Sequence, residues 1–204
     1  MATKTREPLV IGTAQVLHPR ILKPVLEVLD RKLAKAPGAT VAFEMFDNHK
    51  PTSARALLRS NPKDPYLAVV AKHNGKVVSA DNSELQETEK EILRQIYGFR
   101  RVNRAKKQEL RERNTHNIIK RSAHMLQRAR NTGAAILICG VHHGRDIKRH
   151  TTGVTVLEIP GEEILRKVFS KRLQDEDLTA QMDLALREKL LRNRTYSHLF
   201  RRQK

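Results

Sequence analysis

The stretches Leu9-Val-Ile-Gly-Thr13 and Thr40-Val-Ala-Phe-Glu-Met-Phe46 decide the fold of this chain. Both are short, apolar and rich in residues that favour strands. Between them, apolar residues recur with the period of an amphipathic helix, at Ile21, Leu22, Val25, Leu26, Leu29 and Leu33. The order strand, helix, strand predicts a βαβ unit whose second strand runs parallel to the first.

The region after this unit is predicted to contain a short helix and a β-hairpin. Residues 51–60 favour the short helix. Residues 66–72 and 76–79 are apolar, β-branched runs on either side of His73-Asn74-Gly75. Because Asn-Gly suits the left-handed positions of a type I′ turn, this pattern predicts an antiparallel hairpin.

The middle of the chain is predicted to be a helical insertion at about residues 83–131. Ser83 and Gln86 have capping-box spacing at the start of a helix that ends at Gly98. Residues 103–131 contain neither Gly nor Pro, which favours one long helix or two nearly collinear ones. A strand covered on both faces is expected at residues 134–140, another strand at residues 154–159, and helices at residues 161–173 and 177–193.

These elements predict the α/β class, with a mixed, largely parallel sheet, flanking helices, a β-hairpin and a long basic helical insertion. The predicted organisation is an α/β domain at residues 1–174 that includes the insertion, followed by a basic C-terminal helical extension at residues 175–204. The chain has 204 residues, of which 39% are hydrophobic, so it can bury one ordinary core.

The composition excludes several classes of protein. A single cysteine, Cys139, rules out an intramolecular disulfide framework and a Cys-based zinc cluster. It lies in a predicted buried strand, where a thiol is normally inert, so a cysteine nucleophile is not favoured. No apolar run approaches the ~20 residues that span a bilayer, and no signal peptide is recognisable, so a cytoplasmic location is expected. Few aromatic rings are available to stack on single-stranded bases.

Polar residues follow three predicted strands at their carboxyl ends, where ligands bind in open α/β sheets. They are Gly12-Thr-Ala-Gln15, Glu44 and Gly140-Val-His-His-Gly144. Glu44 is a carboxylate in an apolar strand, so it is paired with an arginine, caps another group or is functional. Imidazole at a strand end can bind a metal, act as a general base or hydrogen-bond a backbone carbonyl. Because adjacent side chains diverge, we expect only one of His142 and His143 to reach a given site.

Four segments of the chain resemble motifs of the TraB/Tiki/ChaN-like superfamily. They are Val10-Ile-Gly-Thr-Ala-Gln15, Val41-Ala-Phe-Glu-Met45, Leu110-Arg-Glu-Arg-Asn114 and the strand that leads into His143-Gly144. That superfamily has a Gly-x-x-His turn, a strand that bears a glutamate, a helix that bears an arginine and a second Gly-x-x-His. The resemblance covers most of the chain. It implies a pocket with catalytic residues and turn residues that contact the ligand: Glu44, Arg113, Asn114 and His143, with Gly12, Gln15 and Gly140.

The resemblance also implies functions. For Tiki members it implies metal-dependent proteolysis, and for TraB members it implies suppression of peptide signalling connected with conjugative plasmids. Glu44 and His143 are then the candidate ligands of a divalent metal. Gln15 stands where the first histidine is expected. An amide is a poorer zinc ligand than imidazole, so a zinc site with Gln15 would be weak unless His18 or His142 supplied the missing ligand. A manganese-like ion accepts an amide oxygen more readily.

The charge of the chain favours an anionic partner. Lys and Arg number 40 against 22 Asp and Glu, which gives a formal net charge of +18. This excess predicts binding to an acidic protein or to nucleic-acid phosphates. The candidate phosphate contacts form a basic ridge on the insertion helix, at Arg100, Arg101, Arg104, Lys107 and Arg111. The basic C-terminal segment, which also carries apolar residues, is expected to dock on an acidic partner helix, on anionic lipid or on its own domain.

Three functions fit these observations. The main expectation is a regulatory or inhibitory factor, encoded by a mobile element, that has a TraB/Tiki-like hydrolase fold with an altered site and binds an acidic protein or nucleic acid. The second is a divalent-metal-dependent hydrolase of a peptide or ester bond that uses Glu44 and His143. The third is a non-sequence-specific nucleic-acid-binding protein with a vestigial pocket. The first two require Gln15, Glu44 and His143 to meet at one edge of the sheet.

Overall fold

The computed structural model describes residues 7–13, 19–44, 46–98, 103–159 and 194–201. Within these ranges lie six strands: β1 Leu9–Thr13, β2 Thr40–Phe43, β3 Thr52–Ser53, β4 Lys76–Ser79, β5 Ile136–Gly140 and β6 Val156–Glu158. They form one sheet in the order β3-β4-β2-β5-β1-β6. Every neighbouring pair is parallel except β3 and β4, which are antiparallel. The predicted α/β class with a mixed, largely parallel sheet is therefore confirmed.

Helices cover both faces of this sheet. They are α1 Pro19–Ala34, α2 Ala54–Ser60, α3 Pro65–Lys72, α4 Ser83–Gly98, α5 Arg104–Asn131 and α6 Val141–His150, with a 3-10 helix at Arg194–Phe200. The side chains of β5 alternate between two cores. Ile136 and Ile138 pack with α1 and α3, whereas Leu137 and Cys139 pack with α5 and α6. The apolar run at residues 134–140 is thus a strand buried on both faces, as its sequence indicates.

The two strands of the first βαβ unit, β1 and β2, are parallel as predicted, but they are not neighbours in the sheet. β1 and β2 are parallel to each other, and β5 lies between them, because Leu9 and Val41 both pair with Ile136. The chain runs through α4 and α5 before it returns to fill this central position. The most apolar strand therefore occupies the middle of the sheet.

The predicted hairpin is wrong, because residues 66–72 belong to α3. Asp64 caps this helix by accepting a hydrogen bond from the Leu67 N–H at 2.9 Å, and Pro65 occupies its first turn. Asn74 does adopt the left-handed conformation, with φ 56°, but the turn leads from a helix into β4. β4 then pairs in parallel with β2. The Asp-Pro start signal and burial against α1 outweigh the β-propensity of Val69 and Val70.

The helical insertion is present as α4 and α5, which pack together through Ile92, Ile96 and Leu110. The predicted cap of α4 is shifted by one residue, because Asn82 accepts the hydrogen bond from the Leu85 N–H at 3.0 Å. α5 is one continuous helix of 28 residues, capped by Asn103. Its packing against the sheet places its carboxyl-terminal half over β2 and β5.

The helix α6 begins directly after β5, where the sequence predicted only a polar strand end. It packs closely on β1, and two glycines allow the approach. A Cβ atom added to Gly144 would lie 3.2 Å from the Gly12 Cα, and one added to Gly12 would lie 3.3 Å from the Val141 Cα. Gly12 therefore has a structural role at the contact that positions α6.

Several predictions fall beyond the described residues. The helices predicted at residues 161–173 and 177–193, the domain boundary at residues 174 and 175, and most of the C-terminal extension lie there. They stay predictions. Among the helices of the described ranges, none combines the length and apolar character that a membrane-spanning segment needs.

Candidate functional site

The carboxyl ends of β2 and β5 bring Glu44 and His143 together. Glu44 follows β2, and its Oε2 accepts a hydrogen bond from the Gly140 N–H at 2.7 Å. The Oε1 atom of the same carboxylate lies 3.4 Å from the Nε2 atom of His143, in the first turn of α6. Both side chains are largely buried, with 13% and 8% of their surface exposed. The expected meeting of these two residues, 99 positions apart, is observed.

His143 is also held from its other side. Its Nδ1 atom lies 2.8 Å from the hydroxyl oxygen of Ser122, in α5. That hydroxyl lies 2.7 Å from the Oδ2 atom of Asp146, one turn further along α6. Ser122 and Asp146 are 0% and 1% exposed. A buried chain of polar groups thus connects Asp146, Ser122, His143 and Glu44.

Arg121 supplies the positive charge beside Glu44. Its guanidinium Nη2 lies 3.2 Å from Glu44 Oε1, and the same group donates hydrogen bonds to Asp81 and Glu89. Asp81 follows β4, and Glu89 lies in α4. The side chain of Arg121 is only 7% exposed, so it joins the sheet edge, α4 and α5 from inside the protein. The arginine pairing considered for Glu44 from the sequence is therefore present, with Arg121 as the partner.

Electrostatics keep Glu44 ionised. Burial alone would raise the pKa of its carboxyl group, but the hydrogen bond and charge of His143, the Gly140 N–H and the charge of Arg121 together lower this pKa to about 2. At neutral pH Glu44 is therefore a carboxylate that accepts hydrogen bonds and attracts cations.

The other residues assigned by the family resemblance have different positions. Arg113 is exposed and lies eight residues before Arg121, about 12 Å along the helix. Asn114 is half-buried and lies on the side of α5 that leads to Arg121, seven residues away; its Oδ1 atom is buried and has no hydrogen-bond partner among the described residues. The structure thus brings Arg121, and not Arg113, to Glu44. Gln15 and His18 lie outside the described residues.

Three functional candidates were missed from the sequence, namely Arg121, Ser122 and Asp146. Two signals could have found them. Arg121 and Ser122 interrupt the apolar side of α5, whose neighbouring residues Ile119 and Met125 are buried. Asp146 stands three residues after His143, a spacing that puts both on one face of a helix, but this signal requires α6 to be predicted first.

Cys139 is unsuited to nucleophilic chemistry. It is completely buried in β5. Burial raises the pKa of its thiol well above the ordinary value, and the charges of Glu44 and Asp146 raise it further. The expectation of an inert thiol agrees with this environment. His142, next to the site residue His143, is exposed.

The described residues supply only part of the predicted metal site. Across the described residues, no three His, Cys, Asp or Glu side chains are grouped closely enough to hold an ion. Glu44 and His143 would supply two ligands, but their oxygen and nitrogen atoms already have protein partners, and the Arg121 cation stands beside them. These residues alone do not fit a metal. The predicted metal site stays a prediction that depends on Gln15 and His18.

The basic ridge is partly described. Arg100 and Arg101 lie outside the described residues, Arg104 is exposed, and Lys107 and Arg111 are half-buried. Four basic side chains of α5 form neither a salt bridge nor a side-chain hydrogen bond with any described residue, namely Arg104, Lys107, Arg113 and Lys120. The adjacent Lys106, by contrast, pairs with Glu109 at 2.8 Å.

Two cavities lie away from Glu44 and His143. One, of about 610 Å³, is an apolar groove between α1 and α3 that includes Leu26 and Val69. The other, of about 740 Å³, lies at the amino ends of β1 and β5 and includes Lys32 and Arg130. Neither contains Glu44, His143 or another residue named at the carboxyl-edge site.

The geometry can be compared with known proteins. No protein-family model matches this chain, and searches of curated proteins and of solved structures find no match.

Proposed function

We propose that the protein is a regulatory or inhibitory factor on a TraB/Tiki-like α/β fold, and that it binds an acidic protein or nucleic-acid phosphates through α5. One observation carries this proposal: Arg104, Lys107, Arg113 and Lys120 form no salt bridge with the described residues. A cation without an internal partner can release its counterions to an anionic partner at little structural cost. The net charge of +18 supports the same conclusion.

The carboxyl-edge residues support a binding function more than a catalytic one. Glu44 and His143 both have protein partners on each side, so the pair is held in a nearly closed network. An altered site of this kind fits a factor that acts through its surface. We place the partner-binding surface mainly on the amino-terminal half of α5, which carries Arg104, Lys107 and Arg113, since the carboxyl-terminal half beyond Lys120 is largely covered by the sheet and α6.

The test measures binding to duplex DNA and to a poly-glutamate peptide at 50 and 200 mM salt. The variant carries Arg104→Glu, Lys107→Glu and Arg113→Glu. Its matched control carries the same charge change at exposed lysines with no salt bridge to described residues, as Lys32→Glu, Lys35→Glu and Lys63→Glu. We expect affinity to fall at least tenfold in the α5 variant and less than threefold in the control, because local phosphate or carboxylate contacts exceed the effect of net charge.

The two ligands separate the candidate partners. Tighter binding to the peptide than to DNA would support an acidic protein partner and a regulatory role. Binding to DNA alone would favour the non-sequence-specific nucleic-acid-binding function. Absence of binding to both ligands at 50 mM salt, or equal losses in the two variants, would overturn the proposal.

A second candidate function is a divalent-metal-dependent hydrolase of a peptide or ester bond. The convergence of Glu44 and His143 at the carboxyl edge favours it, because a carboxylate and an imidazole 3.4 Å apart can share proton transfers during hydrolysis. Metal content and hydrolysis would be measured for the purified protein and for Glu44→Gln and His143→Ala variants. A loss of bound metal or activity in both variants supports the enzyme; wild-type protein without either property excludes it.

A further inference from the structure

The C-terminal 3-10 helix, Arg194–Phe200, packs against α5 and α6. Phe200 is 2% exposed and belongs to the core on that side of the sheet. The Arg130 Nη1 atom donates a hydrogen bond to the Phe200 carbonyl oxygen at 2.9 Å, and the Gln127 side chain donates one to the Arg201 carbonyl oxygen. The 3-10 helix is therefore anchored at its carboxyl end, and this anchor fixes where its other side chains meet α5.

Tyr196 connects the 3-10 helix to His116 of α5. Its hydroxyl oxygen lies 3.2 Å from the Nδ1 atom of His116, and the centres of the two rings are 5.3 Å apart. Lys120 follows His116 by one turn on the same side of α5, and His198 follows Tyr196 by two residues. His116, Lys120 and His198 are all exposed. Two segments 80 positions apart in the chain thus present three basic side chains to solvent.

These three side chains form one cluster of positive or potentially positive groups. Partial burial lowers the pKa of His116, and the charges of Lys120 and His198 lower it further. None of the three forms a salt bridge with a carboxylate of the described residues. An anion placed between them would therefore meet no competing internal partner.

The other charged groups of α5 beside the cluster are Arg113 and Glu112. Arg113 is exposed and lies one turn before His116, on the same side of the helix. Burial raises the pKa of the Tyr196 hydroxyl, and the charge of Glu112 raises it further. Glu112 also accepts a hydrogen bond from Gln108 Nε2 at 3.1 Å, one turn further from His116. One carboxylate therefore faces two cations and two histidines.

The α6 side of Tyr196 is occupied by His150. The centres of these two rings are 6.2 Å apart, and the Nε2 atom of His150 is buried. Burial lowers the pKa of His150; the charge of Asp146 opposes this effect and that of Arg149 adds to it. His150 thus packs beneath the tyrosine ring and does not belong to the exposed cluster.

We propose that His116, Lys120 and His198 form a binding site for the backbone phosphates of nucleic acid. Tyr196 holds the His116 ring beside the other two side chains. The inference rests on the proposed binding of an anionic partner by α5, and it selects nucleic acid from the two candidate partners. Arg113, His116 and Lys120 form a row about 10 Å long, which suits the successive charges of a phosphate chain. A phosphate beside imidazole favours its charged form, so binding is coupled to proton uptake.

The test measures the affinity for duplex DNA over a series of salt concentrations at pH 6 and at pH 8. The charge of the phosphodiesters is the same at both pH values, so any pH effect comes from the protein. The slope of log affinity against log salt concentration reflects the number of cations that contact phosphates. In the wild-type protein we expect the slope to be steeper at pH 6, by about one unit for each histidine that gains a proton.

Variants of the cluster are compared with exposed residues outside it. His116→Gln/His198→Gln should have the same slope at both pH values, because glutamine takes up no proton, whereas His49→Gln should keep the wild-type difference. Lys120→Gln should reduce the slope by about one unit at both pH values, and Lys63→Gln should leave it unchanged. Circular dichroism at both pH values checks that each variant is folded.

Several results would overturn the proposed phosphate site. They are equal slopes at the two pH values in the wild-type protein, a wild-type pH difference in the double histidine variant, its equal loss in His49→Gln, and an unchanged slope in Lys120→Gln. Binding to poly-glutamate without binding to DNA would overturn this site and leave the proposed function in place. Absence of binding to both ligands would overturn both.

Discussion

In the amino-terminal half of α5, Arg104 and Arg113 are exposed and form no salt bridge with described residues, whereas in the carboxyl-terminal half Arg121 is 7% exposed and contacts Glu44, Asp81 and Glu89. The same residue type in the same helix thus has two roles. Where the helix extends away from the sheet, the arginine side chain stays in contact with water. Where the helix crosses the sheet, the guanidinium is removed from water, and ion pairs with carboxylates compensate for the lost hydration. The position of an arginine along α5, relative to the sheet, therefore decides whether it has a structural role.

The largest effect should come from Arg121→Met. Its removal leaves Glu44, Asp81 and Glu89 close together and without their shared cation, and breaking a buried ion pair of this kind costs about 3–5 kcal/mol. We expect the free energy of unfolding, measured by urea denaturation, to fall by that amount. A loss below about 1 kcal/mol, within the range of exposed ion pairs, would show that Arg121 is not a structural cation.

The pH dependence of stability should reveal the charge of Glu44. Its folded-state pKa, lowered to about 2, is below that of an unfolded glutamate, so ionised Glu44 stabilises the fold above about pH 5 and this contribution is lost as the pH falls towards 2. The shift corresponds to about 3 kcal/mol. Urea denaturation at several pH values should show a smaller loss between pH 5 and 2 in Glu44→Gln than in wild type. Parallel curves for the two proteins would contradict this assignment.

An intermediate effect is expected for Asp81→Asn. The variant keeps the size of the side chain and removes one of the three carboxylates that contact Arg121, while Glu44 and Glu89 remain. Loss of a charged hydrogen bond costs about 1.5–3 kcal/mol. Denaturation of the single variants and of Arg121→Met/Asp81→Asn forms a double-mutant cycle. Additive losses would mean that the two residues do not interact energetically.

The smallest effect should come from Arg113→Met in the exposed half of α5. Because Arg113 forms no salt bridge with described residues, its replacement should change the free energy of unfolding by no more than about 0.5 kcal/mol. The measurement uses the same urea titration as Arg121→Met. A loss of 2 kcal/mol or more would remove the distinction between the two halves of the helix.

The hairpin shows where local sequence reasoning failed. Residues 66–72 carry β-branched side chains, yet they form α3, because Asp64 and Pro65 start a helix whose apolar side packs against α1. Strand propensity measures how well a side chain fits the half-buried surface of a sheet. It therefore has little weight for residues 66–72, which bury their apolar side chains against the helix α1. Asn74 has the expected left-handed conformation, but Gly75 does not, so the predicted type I′ turn was wrong together with the strand expected before it.

The candidate site was predictable in part for a similar reason. Glu44 and His143 follow strands, and strand ends of a parallel sheet share one edge, so their meeting could be inferred from the order of elements. Arg121, Ser122 and Asp146 reach the same place from helices. Their arrival depends on how α5 and α6 are rotated and shifted against the sheet, which no local pattern encodes.

The sequence by itself determined the α/β class, a strand at residues 134–140 that is buried on both faces, the helical character of residues 104–131 and the excess of positive charge. Periodicity and capping residues are local properties, and net charge is a sum over the chain, so neither requires knowledge of the packing. Only the tertiary structure decided that β5 separates β1 from β2, that residues 66–72 are helical, and that Arg121 rather than Arg113 pairs with Glu44. These outcomes depend on which surfaces bury each other, and burial is a property of residues distant in the chain.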